Sequence, residues 1–127
     1  QKEVAERIVS KKNKKSYGRL SILAQWRLDC EILFNIKPSC FYPVPKVEST
    51  LVKFTPKKNF IKIKNIKNLE KVTNVLFSSK RKMINKNIRK ILKDNQIKNI
   101  KNFNINLRPS EIKPEIYYKI TEMVEGN

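Results

Sequence analysis

The chain has 127 residues, room for one ordinary domain or for parts of two, and its 29 Lys and Arg against 11 Asp and Glu leave a formal charge of +18. Such an excess favours polyanionic partners, because each phosphate contact releases condensed counterions. With no histidine, two cysteines outside any CxxC pair, no apolar run near the roughly 18 residues that span a bilayer and no signal peptide, the composition excludes a zinc site, a His-based dyad and a membrane span.

These exclusions predict a soluble, cytoplasmic protein whose Cys30 and Cys40 are reduced and buried. Ile, Lys and Asn recur throughout, as in KNFIKIKNIKN, the drift of an AT-rich genome. Part of the charge therefore carries no function, and the placement of cations says more than their number. The opening QKEVAERIV, without a methionine, reads as the middle of a longer protein.

In chain order, Val4, Ala5, Ile8 and Val9 suit one face of a short helix. KKNKKS follows as a basic, solvated loop. YGRLSILAQWRLDC places Tyr17, Leu20, Leu23 and Trp26 at helical spacing, a stripe expected in the core. EILFNI and STLVKFT, rich in β-branched and aromatic residues, read as two strands of a long hairpin. Between them lies CFYPVPKVES, where Pro43 and Pro45 fix their own φ and push Tyr42 and Val44 into extended conformations. Spacing alone is also satisfied by a stiff connector between strands.

Residues 58–68 are basic and low in complexity, and they read as a linker rather than a weak edge strand. Beyond them the period turns helical: Leu69, Val72 and Leu76; then Ile84, Ile88, Ile91 and Leu92; finally Ile116, Ile120, Met123 and Val124, with Pro114 suited to a first helical turn. The expected fold is an α/β piece over residues 1–57, holding a helix and hairpin from the end of a larger sheet, and a small all-α unit over 69–127. Two strands and two helices bury too little to stand alone, so the hairpin calls for more sheet.

Between Lys80 and Lys93 there are seven basic residues and no acidic one. On a helical wheel Lys82, Lys86, Arg89, Lys90 and Lys93 gather about 160° from the Ile84, Ile88, Ile91 and Leu92 stripe. Every amphipathic helix has a solvated face. A face of one sign, without the acids that relieve repulsion at i, i+4 spacing, reads further as a phosphate-binding footprint. Lys80 and Arg81 extend that candidate set.

QKEVAER, YGRLSIL, FYPVPKVES, LFSSKRKMINKNI and LRPSEI, in this order, resemble the C-terminal portion of the small-subunit ribosomal RNA adenine dimethyltransferases (the KsgA family). The most specific element is F-x-P-x-P-K-V-x-S, here Phe41, Pro43, Pro45, Lys46, Val47 and Ser49. The resemblance implies an enzyme, monomeric as a whole, that uses S-adenosylmethionine to dimethylate the N6 amines of two adjacent adenines near the 3′ end of small-subunit rRNA. Its partners would be the small ribosomal subunit and its rRNA. It implies further that Phe41 stacks on the extruded adenine, with Pro43, Pro45, Lys46, Val47 and Ser49 supporting the loop. Alternation along an extended backbone puts Tyr42 on the opposite side.

The family's glycine-rich cofactor loop and N-[LI]-P-[YF] motif have no counterpart here; NLRP at 106–109 is a chance match. Catalytic and cofactor-binding residues are therefore expected outside this chain, and the chain alone is expected to be inactive. A macrolide-resistance type of large-subunit rRNA methylase and a non-catalytic nucleic-acid binder of the same fold remain as alternatives.

Overall fold

In the computed structural model, which describes residues 1–126, helix α1 (Lys2–Val9) leads through a basic turn to α2 (Arg19–Ala24). Strands β1 (Leu28–Ile36) and β2 (Ser49–Pro56) follow, joined by a 3-10 turn at Pro38–Cys40 and the proline loop. Then come α3 (Ile66–Leu76), the single turns α4 (Asn85–Ile88) and α5 (Asp94–Ile97), a second 3-10 turn at Pro109–Glu111, and α6 (Pro114–Val124). No helix among the described residues is long and apolar enough to cross a membrane.

The two strands pair antiparallel from Leu28↔Pro56 to Ile36↔Ser49, with an irregularity between Ile32 and Phe34 that leaves Leu33 without a partner. Half-buried and exposed residues alternate along β1 as far as Ile32, and no residue of either strand is fully buried. Among the described residues the sheet has these two strands alone. Leu33, Phe34, Leu51 and Phe54 stand exposed on it.

The core lies in the helical part. Leu69, Val72, Thr73 and Leu76 form the buried face of α3, at the spacing a helix puts on one side, and Asn65 caps its start by accepting the Lys67 N–H at 3.0 Å. Pro114 occupies the first turn of α6, where its missing N–H leaves no ladder bond unmade. Ile116, Tyr117, Tyr118, Ile120 and Thr121 of α6 are buried against α3 and its neighbours.

Three tyrosine hydroxyls bind this core to distant chain segments. Tyr17 donates to the Ile112 carbonyl at 2.6 Å, Tyr117 to Pro109 at 2.6 Å and Tyr118 to Ile22 at 2.5 Å. Burial pushes all three phenols well above their ordinary pKa, so they remain neutral donors. Tyr17 and Ile22 thereby join the same apolar cluster as the helices after residue 66.

Several expectations are corrected. The helix expected through YGRLSILAQWRLDC is only Arg19–Ala24, and Leu28–Cys30 already belongs to β1. Tyr17 precedes the helix, Leu20 is exposed, and the buried positions of α2 are Ser21 and Ile22. Ser21 can face inward because its hydroxyl donates to the Arg7 carbonyl, so no polar group is stranded.

Residues 58–68 are not a free spacer. Ile63 is buried, Ile61 packs on the core, the Trp26 indole N–H holds the Ile61 carbonyl at 2.7 Å, and α3 starts within the segment at Ile66. Neither cysteine is fully buried: Cys30 is half-buried, with its thiol pKa pushed up by burial and only partly offset by Lys57, and Cys40 is exposed.

The continuous helix expected over Lys80–Lys93 is absent. The Ile84 N–H bonds to the Leu107 carbonyl at 2.9 Å instead of reaching one turn back, so the ladder is cut there. What remains is turns flanking α4. The stripe still does its expected work, with Ile84, Ile88 and Leu92 buried and Ile91 half-buried.

Candidate nucleic-acid interface

Two candidate regions emerge, one on the hairpin and one in the helical part. On the hairpin, the 3-10 turn ends where the Phe41 N–H meets the Pro38 carbonyl at 3.1 Å, leaving Phe41 extended at φ −114° and ψ 153°. Phe41 is 42% exposed and Tyr42 entirely exposed. Both line a shallow cleft of about 290 Å³ with Pro43, Pro45 and Ser49. Tyr42 thus contributes to the same cleft as Phe41.

Lys46 and Val47 are exposed, outside that cleft, and lead to a latch on α1. The Lys2 N–H donates to the Glu48 carbonyl at 3.0 Å, and the Lys2 ammonium pairs with the Glu48 carboxylate at 3.0 Å. That hydrogen bond and the carboxylate's charge hold the Lys2 pKa above its ordinary value. Asn35 and Thr50 add a side-chain bond of 2.8 Å across the hairpin.

In the helical part, Arg81, Lys82, Lys86 and Lys90 line a groove of about 700 Å³ with Arg108 from the LRPSEI segment. Among the described residues no carboxylate lines it. Asn87 helps to shape it: half of its amide reaches the Ser78 hydroxyl at 3.1 Å, tying α4 back to the end of α3. A groove of one charge sign concentrates polyanions more than scattered surface lysines do.

The rest of the predicted cluster disperses. Arg89 is ion-paired with Asp94 at 3.2 Å and donates to the Asn85 carbonyl at 3.0 Å. Lys93 is exposed at the start of α5, its N–H held by Gln96 at 2.9 Å. Lys80 lines a different cleft. Conversely, sequence reading passed over Arg108, whose place in the LRPSEI motif was its one signal. Its own N–H donates to Glu111 at 2.8 Å, which fixes the backbone where Arg108 lines the groove.

A nucleoside cofactor of the S-adenosylmethionine type needs a strand-to-helix turn with glycines where its backbone approaches closely. The described residues do not fit it. Gly18 and Gly126 both have open space where a Cβ would stand, and the sheet is an antiparallel pair rather than a strand–helix–strand unit.

A family model described as ribosomal RNA adenine dimethylase matches residues 1–125. The ribosomal RNA small subunit methyltransferase A of Pelagibacter ubique is 46% identical over 127 residues, covering 98% of this chain and 48% of that protein. The protein of the same name from Francisella tularensis subsp. novicida is 43% identical over 97 residues, covering 76% of this chain and 37% of its own length. The chain thus spans half or less of the relatives it matches.

Among solved structures, a dimethyladenosine transferase from Plasmodium falciparum aligns with a TM-score of 0.73 at 23% identity, covering 94% of this chain and 53% of that one. The 23S rRNA methyltransferase ErmE aligns with a TM-score of 0.60 at 17% identity, covering 98% and 52%. At those identities the likeness speaks to fold.

Proposed function

The chain belongs to the ribosomal RNA adenine dimethylase family, and on that premise we propose that it supplies the target-base loop and the RNA-binding helical part of a small-subunit rRNA adenine N6-dimethyltransferase. The whole enzyme, a cytoplasmic monomer, dimethylates two adjacent adenines near the 3′ end of the rRNA. S-adenosylmethionine is bound outside the described residues. More of the enzyme's sheet covers Leu33, Phe34, Leu51 and Phe54.

The observation that carries this reading is Phe41, a half-exposed aromatic ring at a proline-lined cleft in a chain of this family. An adenine inside a stack hides its amine, so the base has to be extruded. A ring held by the Pro38 turn and the Glu48–Lys2 latch gives the extruded base a face to stack on, worth roughly 1–3 kcal/mol. Arg81, Lys82, Lys86, Lys90 and Arg108 hold the backbone, and phosphate contacts set affinity without naming the base.

The test is a chimaera that joins the preceding half of the Pelagibacter relative to residues 1–127. Single-turnover methylation of small-subunit particles should slow about five- to 150-fold with Phe41→Ala, the rate equivalent of that stacking energy. Phe41→Trp should keep most of the activity, and Val44→Ala, outside the cleft, should change little. RNA affinity and melting temperature should hold in all three. Parental methylation by Phe41→Ala would overturn the assignment.

A further inference from the structure

Adjacent residues of the turn after α3 open onto different clefts. Arg81 belongs to the groove already described, whereas Lys80 lines a separate cleft of about 340 Å³ with Arg7, Lys15 and Arg19, and among the described residues no carboxylate lines it. Aromatic rings back it. Tyr17 is buried with its hydroxyl turned to Ile112, and Phe77 stacks on Tyr117 with ring centroids 5.6 Å apart. Cations against such a wall keep more of their field than cations surrounded by water.

The walls are fixed by a continuous set of bonds. Ser16 donates to Ser10 at 2.8 Å, Gln25 donates to the Ile8 and Ser10 carbonyls at 2.8 and 2.9 Å, and Asn13, left-handed at φ 72°, gives its N–H to Ser110 at 2.8 Å. The Tyr17 N–H meets the Lys14 carbonyl at 3.1 Å. KKNKKS, expected as a solvated loop, is therefore held in place on both sides of Lys15.

Arg19 is pinned against α3 by Thr73 and Asn74, both at 3.4 Å, and by the Glu70 carbonyl at 3.1 Å. All three acceptors are neutral, so its charge is not cancelled. Arg7 pairs with Glu3 on the surface at 2.9 Å. Among the described residues no carboxylate pairs with Lys15 or Lys80.

We propose that this cleft is a second phosphate site for an RNA backbone, with Lys15 and Lys80 as contacting cations and Arg19 as a fixed positive wall. It deepens the RNA-binding reading above and rests on it. The turn carrying Lys80 and Arg81 becomes a partition between two phosphate tracks, so one RNA engages the protein on both sides of it. Each track adds its own counterion release, and the salt dependence of binding counts them separately.

The experiment uses the 127-residue chain and a short RNA hairpin, with affinity measured from about 50 to 200 mM salt. Lys15→Gln with Lys80→Gln should lower the steepness of log affinity against log salt by about 1.5, at roughly 0.7–0.9 per lost contact. Lys82→Gln, Lys86→Gln and Lys90→Gln together should lower it by about 2–2.7 on the same scale, and the two sets should add. Lys15→Arg with Lys80→Arg should restore the parental slope, and all variants should melt with the parent because these side chains are exposed.

If the groove triple flattens the slope while the cleft pair matches the parent, the second site is overturned and the RNA reading stands. If neither set moves it, both fall. Inorganic phosphate, titrated by chemical shift, separates the sources of anion. A cleft pair that loses phosphate binding but keeps the parental RNA slope marks a free-anion site and overturns the RNA assignment.

Discussion

Strands β1 and β2 contain no fully buried residue, whereas α3 buries four and α6 five. Both regions are rich in apolar side chains, so composition does not separate them; what packs against them does. Each Ile or Leu fully buried in the helical part contributes about 1.5–3 kcal/mol relative to exposure, and Phe34, 55% exposed, gains only part of that. The helical part holds itself together and offers its cations to solvent. The hairpin carries the candidate base-stacking ring on a scaffold with little apolar burial of its own. Stability and recognition are thus drawn from different places, and a substitution should report on one or the other.

The largest expected effect sets the two regions directly against each other. Ile88→Ala removes a fully buried side chain from the core and should cost about 2–5 kcal/mol. Phe34→Ala in the same 127-residue chain should stay within about 0.5 kcal/mol, as surface substitutions do. Urea titration of both variants decides it. Similar losses would mean that the hairpin is buried in solution, and the contrast would be void.

Tyr17→Phe probes the seam where the N-terminal segment meets the helices. The ring stays, but the Ile112 carbonyl loses its buried donor, which should cost about 1–3 kcal/mol. A melting curve unchanged by the substitution would show that Tyr17 contributes by packing alone.

The smallest effect belongs to the tie between the end of α6 and the start of α3. The Glu125 carboxylate accepts from the Lys64 and Asn65 N–H groups at 2.8 and 3.0 Å and from the Asn68 amide at 2.6 Å. Partial burial works to raise its pKa, but these hydrogen bonds outweigh it and hold the carboxyl below its ordinary 4.5. A pKa depressed by folding stabilises the protein fully above the unfolded value and loses that stabilisation as pH falls through the folded one. Glu125→Gln should therefore cost about 1 kcal/mol near neutrality, as a lost helix cap does, and should flatten the fall of melting temperature below pH 4.5. Parallel acid limbs for parent and variant would refute the tie.

Legibility followed the range of the interaction. The hairpin, the proline loop, the α3 stripe and Pro114 at the start of α6 were readable because alternation, fixed φ and helical spacing act over a few residues. Ser21 in the core was not, since its acceptor is the carbonyl of Arg7 on another helix. The break in the expected Lys80–Lys93 helix was hidden for the same reason: it depends on Leu107 capturing the Ile84 N–H.

The candidate site divides in the same way. By itself the sequence determined that cations gather between Lys80 and Lys93, that isoleucines there face a core, and that Phe41 stands on a stiffened loop. Tertiary structure decided which cations share a groove. It brought Arg108 to Arg81, Lys82, Lys86 and Lys90, spent Arg89 on Asp94, and sent Lys80 across the turn to Lys15 and Arg19. Apolar burial is written into local periodicity because any core satisfies it. The company a charge keeps depends on which distant backbone the chain folds against, and no local pattern encodes that.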